Sequence, residues 1–578
     1  MDDRTRNTRM TGSESALEAL RAEGITFMPG LVGSSFMDML DITAQAGIRY
    51  LPFRNEATAG FCAQGYARVT GRAGICIAQN GPGVSNLVTA VRDAYLAHTP
   101  MVVLTPSTST VHAGTDAIQE LDAMALFAPI VGYQVRVARP SRIAESIRTA
   151  FRAAYSLMRP AQVDIPRDYF FSEMDVDILQ PKNYRVAKLG PGDVEDLKRA
   201  AELLRQSSSP VILSGMGVVW ADAVDDVVQL AELLRAPVVT GYLHNDAFPS
   251  DHPLALGPVG YGGSKAAMRA LSRADVVLAI GSRISEWGTL MPRYDFKFFP
   301  SHAALIQIDR NPMQIGRTVP FEVGIVGDAK ASVQAISNLL RSGAERSKAS
   351  PTLEQDLKRE REEWERELES LSLSDRVPIS PRRAIREIAR AVPKDIVIVT
   401  DIGNVIGVAG AYLRFANPKH HIAALGYGGC GPGLGLALGA KLGRPDLPVM
   451  ALIGDGSWGY AMIDTLTAVQ QNIPVVIVIL DNSQWGAEKR NQVEFYGNRF
   501  VGTNLINPDF AALAKLMGAD AIRVEKPDEV GAAIRTAFSS GKTTLVHILL
   551  DPAELGEAYR RDALMAPKRL AARYQTTQ

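Results

Sequence analysis

The chain is poor in the features that would mark a secreted, membrane-spanning or nucleic-acid-binding protein. Its 578 residues include only three cysteines, Cys62, Cys76 and Cys430. They are too few for a disulfide framework and too far apart for a CxxC metal or redox pair, so they point to a reducing compartment. No apolar run approaches the ~18 residues of a membrane span, and the opening stretch MDDRTRNTRMTGSES has no apolar core of the kind a signal peptide needs. Lys and Arg total 62 and so do Asp and Glu, giving a formal net charge of zero and no global field for nucleic acid or an anionic surface. The expectation is a soluble cytoplasmic protein with neither a nucleic-acid nor a membrane partner.

What is present begins with length: a chain this long exceeds one core and predicts about three domains of ~150 to 200 residues. The most informative stretch runs from Pro448 to Gln484. An apolar run, Val449 to Ile453, stops at Gly454-Asp455-Gly456. Met462, Leu466 and Val469 then recur at helical spacing, and a second apolar run, Val475 to Leu480, stops at Asp481-Asn482. Strand, turn, helix and strand form a βαβ unit whose two turns share the carboxyl edge of a parallel sheet. Two ligands compete for that edge. Gly454, Gly456 and Gly459 satisfy GxGxxG, with Asp481 as a ribose-binding acid. Against this, Asp455 would oppose a pyrophosphate unless a cation lies between them. Mg²⁺ held by Asp455, Asn482 and the backbone carbonyl of Gln484, with a diphosphate at the helix start, resolves the conflict and is preferred.

Gly454-Asp455-Gly456 followed by Asn482 resembles the metal-diphosphate motif of thiamine-diphosphate enzymes, although the family's usual pair of asparagines is here Asp481-Asn482. From Glu56 to Gly71, EATAGFCAQGYARVTG resembles the glutamate segment of the acetolactate synthase-like group of that family, with Asn55 where many members carry His. By residue type alone Glu56 is an acid at a helix start. The resemblance implies a catalytic role: Glu56 bonds the aminopyrimidine and promotes the tautomer that deprotonates the thiazolium. That chemistry needs a carboxyl group in an apolar pocket.

The resemblance extends through Gly81-Pro82-Gly83-Val84-Ser85-Asn86, Asp401-Ile402-Gly403-Asn404 and Gly426-Tyr427-Gly428-Gly429-Cys430. It implies cofactor contacts from Glu56, Asn86, Gly403, Asn404, Gly428, Cys430, Gly454, Asp455, Gly456, Ser457, Asn482 and Trp485. His98 and Gln119 are added as catalytic candidates, a satisfied core histidine being the plain alternative for His98. FAD in the middle domain, at Gly215-Met216-Gly217, is not expected. Stretches at 241–249, 260–268, 484–491 and 556–563 resemble the branch of the family that desulfonates sulfoacetaldehyde with phosphate. They imply release of sulfite and acetyl phosphate. Ser34, Ser35, Lys489, Arg490, Arg560 and Arg561 are the candidates for binding the two tetrahedral oxyanions. Decarboxylation of a 2-oxoacid, as in acetolactate synthase, is the second reading, and a non-catalytic scaffold the third.

The implied architecture is α/β, with three doubly wound parallel-sheet domains: pyrimidine-binding at 1–180, middle at 193–345 and diphosphate-binding at 375–565. Residues 353–372, dense in both charge signs, are expected to form a solvated linker helix. By the resemblance the active sites lie between subunits of a homodimer or homotetramer.

Overall fold

The computed structural model describes residues 5–186, 188–290, 300, 302–342, 352–424 and 426–556. Three six-stranded sheets carry the chain, every strand pair within them parallel. Parallel strands covered on both faces read as continuous apolar runs, and the cores of Gly74–Ile77, Val276–Ile280 and Val476–Asp481 are buried at every position. The α/β expectation of three doubly wound sheets holds.

In spatial order the first sheet is Arg49–Pro52, Phe27–Gly30, Gly74–Ile77, Met101–Ser107, Pro160–Pro166 and Tyr133–Arg136. The second is Ala255–Val259, Val238–Gly241, Pro210–Ser214, Val276–Ile280, Ala304–Asp309 and Val323–Val326. The third is His421–Ala423, Val397–Thr400, Val449–Gly454, Val476–Asp481, Thr544–Leu549 and Asp520–Val524. In each, the chain first winds one way and then crosses back, leaving a switch point where open α/β sheets take ligands. The first switch point lies between Phe27–Gly30 and Gly74–Ile77, and the third between Val397–Thr400 and Val449–Gly454.

Two helices join the first sheet to the third. Glu56–Thr70 and Pro432–Gly443 run side by side: Gly435 abuts Thr58 and Phe61, Gly439 abuts Cys62 and Tyr66, and Gly443 abuts Val69 and Thr70. The contacts advance together along both helices, so the two are parallel and start at the same end of the molecule. Glycines four residues apart form one bare face that lets the backbones approach. A Cβ at Gly439 would lie 1.9 Å from the Cys62 carbonyl oxygen.

A two-stranded sheet stands outside these three: Glu173–Ile178 pairs antiparallel with Thr5–Thr11. Two sequence expectations change. The segment after Asp455 is not one helix but Asp455–Ala461, a 3₁₀ turn at Met462–Asp464, and Thr465–Gln470. The charged helix Leu353–Ser370 is solvated on one face only. Its other face buries Leu357, Trp364 and Leu368, while Glu360 pairs with Arg273 and Lys265 with Glu367 across to the helix Lys265–Ser272.

Gly439→Ala is expected to destabilise the protein by about 1 to 3 kcal/mol through overpacking against fixed backbone, seen as a lower denaturant midpoint. An unchanged midpoint would mean that the crossing yields at no cost.

Candidate active site

The carboxyl edge of the first sheet gathers four of its turns. Glu56 is the first residue of its helix, capped by Asn55, whose side chain accepts from the Ala57 amide. Glu56 is 7% exposed. Asn86 Nδ2 donates to Glu56 Oε2 at 3.0 Å, and Gly83 leaves room for Oε1, which a Cβ there would approach to 3.0 Å. The buried Tyr50 hydroxyl has no hydrogen-bond partner among the described residues; its burial and the nearby Glu56 charge push its pKa upward.

Gln79, at the switch point, is a hub that sequence reading left out of the site. Its Oε1 accepts from the Ser35 amide at 3.0 Å and the Ser35 hydroxyl at 2.8 Å, and its Nε2 donates to Gln119 Oε1 at 2.8 Å. Ser35 and Gln119 are thereby brought together, whereas Ser34 is exposed beside them. Gln119 itself sits at φ 63° in an exposed turn.

His98 lies elsewhere. It ends the helix Val88–Leu96 at φ 51°, and the charged groups facing it are Arg283, Arg159 and Arg317. Burial and these three cations hold the imidazole neutral, well below its ordinary pKa. At the switch point of the second sheet, the Gly215-Met216-Gly217 turn closes on backbone: a Cβ at Gly217 would stand 2.5 Å from Gly281 Cα.

At the carboxyl edge of the third sheet, Gly454 pairs with Leu480, so Asp455 and Asn482 emerge side by side. Asn507 Nδ2 bridges two buried carboxylates, donating to Asp455 Oδ2 at 2.8 Å and Asp481 Oδ1 at 2.9 Å. Asp481 also accepts from the Ser483 amide at 2.8 Å and lies 2.8 Å from His547 Nε2. Burial pushes its pKa up, but these donors outweigh that and hold it low; with both oxygens already engaged, Asp481 is not free to take a ribose hydroxyl. Burial and the Asp481 charge push Asp455 up to about 7. A carboxylate left short of positive charge beside another is chemically suited to a cation.

The remaining predicted residues surround this pair. Gly486 leaves room for Asn482 and Asn404, whose amide nitrogens a Cβ there would meet at 2.9 and 3.2 Å. Asn404 Oδ1 is buried without a partner among the described residues, and Gly403, at φ 107°, borders open space. Gly456 lies under the Trp485 ring, 2.6 Å from where a Cβ would stand. Ser457 Oγ donates to Asp401 Oδ1 at 2.6 Å and accepts from the Gly431 amide at 2.9 Å. Asp401, fully buried and raised to about 6 by burial, accepts also from the Gly433 amide at 2.7 Å. Cys430 sits between these groups, its thiol raised to about 11 by burial and the Asp401 charge. Gly428 takes φ 83° against Ile402.

Of the oxyanion candidates, Lys489 Nζ donates to Gln484 Oε1 at 2.6 Å and Asn504 Oδ1 at 2.9 Å, and Arg490 pairs with Glu494 at 3.3 Å. Gln484 is buried and donates to the Pro552 carbonyl. Arg560 and Arg561 lie outside the described residues. Among the described residues, no cluster of three His, Cys, Asp or Glu side chains could hold a metal, and no helix is long and apolar enough to cross a membrane. A site of one carboxylate, one amide and one backbone carbonyl would not register as such a cluster. It suits Mg²⁺, which takes the rest of its shell from phosphate and water.

Two half-sites, one with a buried glutamate and one with an aspartate-asparagine pair beside a helix start, match family models in chain order. Residues 10–126 match the thiamine pyrophosphate enzyme N-terminal TPP binding domain, 197–336 the central domain and 401–548 the C-terminal TPP binding domain. The chain belongs to the thiamine pyrophosphate enzyme family. Within it, the chain is 43% identical to a sulfoacetaldehyde acetyltransferase of Alcaligenes xylosoxydans xylosoxydans, over 98% of this chain and 97% of the relative. It is 42% identical, with the same coverage, to the sulfoacetaldehyde acetyltransferase of Castellaniella defragrans. A probable acetolactate synthase large subunit of Methanocaldococcus jannaschii matches at 34% over 94% of this chain and 93% of the relative.

Gln79→Ala removes the acceptor shared by both Ser35 donors and the link to Gln119. It is expected to cost about 1 to 3 kcal/mol and to lower kcat/KM by about tenfold or more. Steady-state kinetics within twofold of the wild type would exclude Gln79 from the site.

Proposed function

We propose that this protein is a sulfoacetaldehyde acetyltransferase, converting sulfoacetaldehyde and phosphate to acetyl phosphate and sulfite. One observation carries the choice of substrate: identity over nearly the whole chain is 43% to a sulfoacetaldehyde acetyltransferase and 34% to a probable acetolactate synthase. Acetolactate synthesis from pyruvate is the competing reading within the family. A non-catalytic scaffold would have had no use for Glu56 together with Asp455 and Asn482.

Bound thiamine diphosphate supplies a nucleophilic carbon and an electron sink for aldehyde addition, sulfite departure and acetyl transfer. The protein's part follows from its residues. Glu56, whose Oε2 is held by Asn86, would offer Oε1 to the cofactor's aminopyrimidine and manage the proton there. Asp455, Asn482 and the Gln484 carbonyl would hold Mg²⁺, with the start of the helix Asp455–Ala461 available to the diphosphate. The Asn404 amide nitrogen and that of Asn482 both border Gly486, on the same side. Ser35 and Gln119 are placed by Gln79 on the pyrimidine side. Lys489 and Arg490 stand on the helix Gly486–Phe495, directly beyond the metal loop, as candidate cations for the sulfonate and phosphate.

A cytoplasmic homodimer or homotetramer accommodates both half-sites. Val32, Val111 and Ile118 flank the Ser35 and Gln119 turns and are exposed; Tyr427, Tyr460, Phe500, Val501 and Ile506 are exposed on the side of Cys430, Trp485 and Asp455. Two apolar rims on one chain support burial of each against a second copy.

Incubation with thiamine diphosphate, Mg²⁺, phosphate and sulfoacetaldehyde is expected to release sulfite and acetyl phosphate in equal amounts. Neither product, with carbon dioxide released from pyruvate, would move the chain to the decarboxylating branch.

A further inference from the structure

The buried carboxylate of Asp93 has no part in the reaction described above. It lies on the helix Val88–Leu96 among buried Ala90, Val91 and Ala94, and is 2% exposed. Two hydrogen bonds hold it: Gln64 Nε2 donates to Oδ2 at 2.8 Å, and the backbone amide of Tyr427 donates to Oδ1 at 2.7 Å. Tyr427 belongs to the third sheet's loop, so the second bond joins the pyrimidine half of the chain to the diphosphate half. Charge supports the position from behind, since Arg68 and Arg283 both face the carboxylate and offset part of its burial.

The rest of the loop follows the same helix. Gly426 lies against the Asp93 carbonyl oxygen and Ala97, where a Cβ would come within 2.8 and 3.1 Å, and a Cβ at Gly429 would reach Thr89 at 3.3 Å. Thr89, Asp93 and Ala97 are four residues apart and form one stripe of the helix. Past Cys430 the loop is fixed again by the Gly431 amide on Ser457 and the Gly433 amide on Asp401. The segment that presents Gly428 and Cys430 is therefore anchored at two points, and only one of them lies in its own sheet.

We propose that Asp93 is a positioning residue for the cofactor: by holding the Tyr427 amide it sets where Gly428 and Cys430 meet the ring system of thiamine diphosphate. The claim rests on the cofactor part of the preceding reading and is independent of which aldehyde or oxoacid is the substrate.

Binding separates this role from general support of the fold. Asp93→Ala should weaken thiamine diphosphate binding at least tenfold in a calorimetric titration at saturating Mg²⁺. Inorganic diphosphate, which reaches only the Asp455 side, should bind within twofold of the wild type. Asp93→Asn should restore cofactor binding, because its amide oxygen still accepts from the Tyr427 amide and its nitrogen, standing in place of Oδ2, donates to Gln64 once that side-chain amide turns over to present Oε1 in place of Nε2. Gly426→Ala, which displaces the loop and leaves Asp93 intact, should reproduce the selective loss even if Asp93→Ala does not fold. Cofactor binding within twofold in Gly426→Ala, or equal loss of cofactor and inorganic diphosphate in either variant, would overturn the proposal. A wild-type protein that binds inorganic diphosphate and not thiamine diphosphate would overturn the cofactor reading and the proposal with it.

Discussion

Close contact between two parallel helices sets the geometry of the whole molecule. Glu56–Thr70 follows the first sheet's carboxyl edge and Pro432–Gly443 follows the third's, and their glycines allow backbone to meet backbone. Because the two helices begin at the same end, Glu56 and the Gly431 turn are fixed relative to one another. A side chain at Gly435 or Gly439 would force the helices apart and carry the sheets with them. Further ties hold the arrangement: the Arg54 amide donates to buried Asp464 at 2.8 Å, and the His420 and His421 amides donate to Asp246, in the loop after Val238–Gly241, at 3.2 and 3.3 Å.

A second constraint is the number of carboxylates kept out of water. Asp93, Asp246, Asp401, Asp455 and Asp464 are all buried, and burial pushes the pKa of each upward. Most are tied by backbone amides at the ends of loops, so each converts the cost of desolvation into a fixed loop position. Asp455 differs, because its neighbour is a second carboxylate and its bridging donor, Asn507, is neutral. That difference separates an acid that shapes a loop from one suited to a cation.

The sheets were legible in the sequence because strands buried on both faces appear as apolar runs ended by glycine turns. The runs at Val449 and Val475 located Asp455 and Asn482 without further help. The strand Thr5–Thr11 escaped notice because TRNTRMT is polar and stands in a two-stranded sheet, where no apolar run is needed. The break after Ala461 also left no mark, since Met462, Leu466 and Val469 keep helical spacing across it. Gln79, Asp93 and Asn507 act through partners distant in the chain, and spacing within one segment carries no trace of such pairs. Asp93 alone gave a local sign: an acid among Ala90, Val91 and Ala94 on the buried side of a helix.

Exchange of the C2 proton of bound thiamine diphosphate with deuterium, followed by quenched-flow NMR, tests the account at its centre because it needs no substrate. Fast exchange in the wild type, lost by at least a hundredfold in Glu56→Gln while the cofactor stays bound, is the predicted result. Equal exchange rates in the two proteins would contradict it and remove Glu56 from the chemistry.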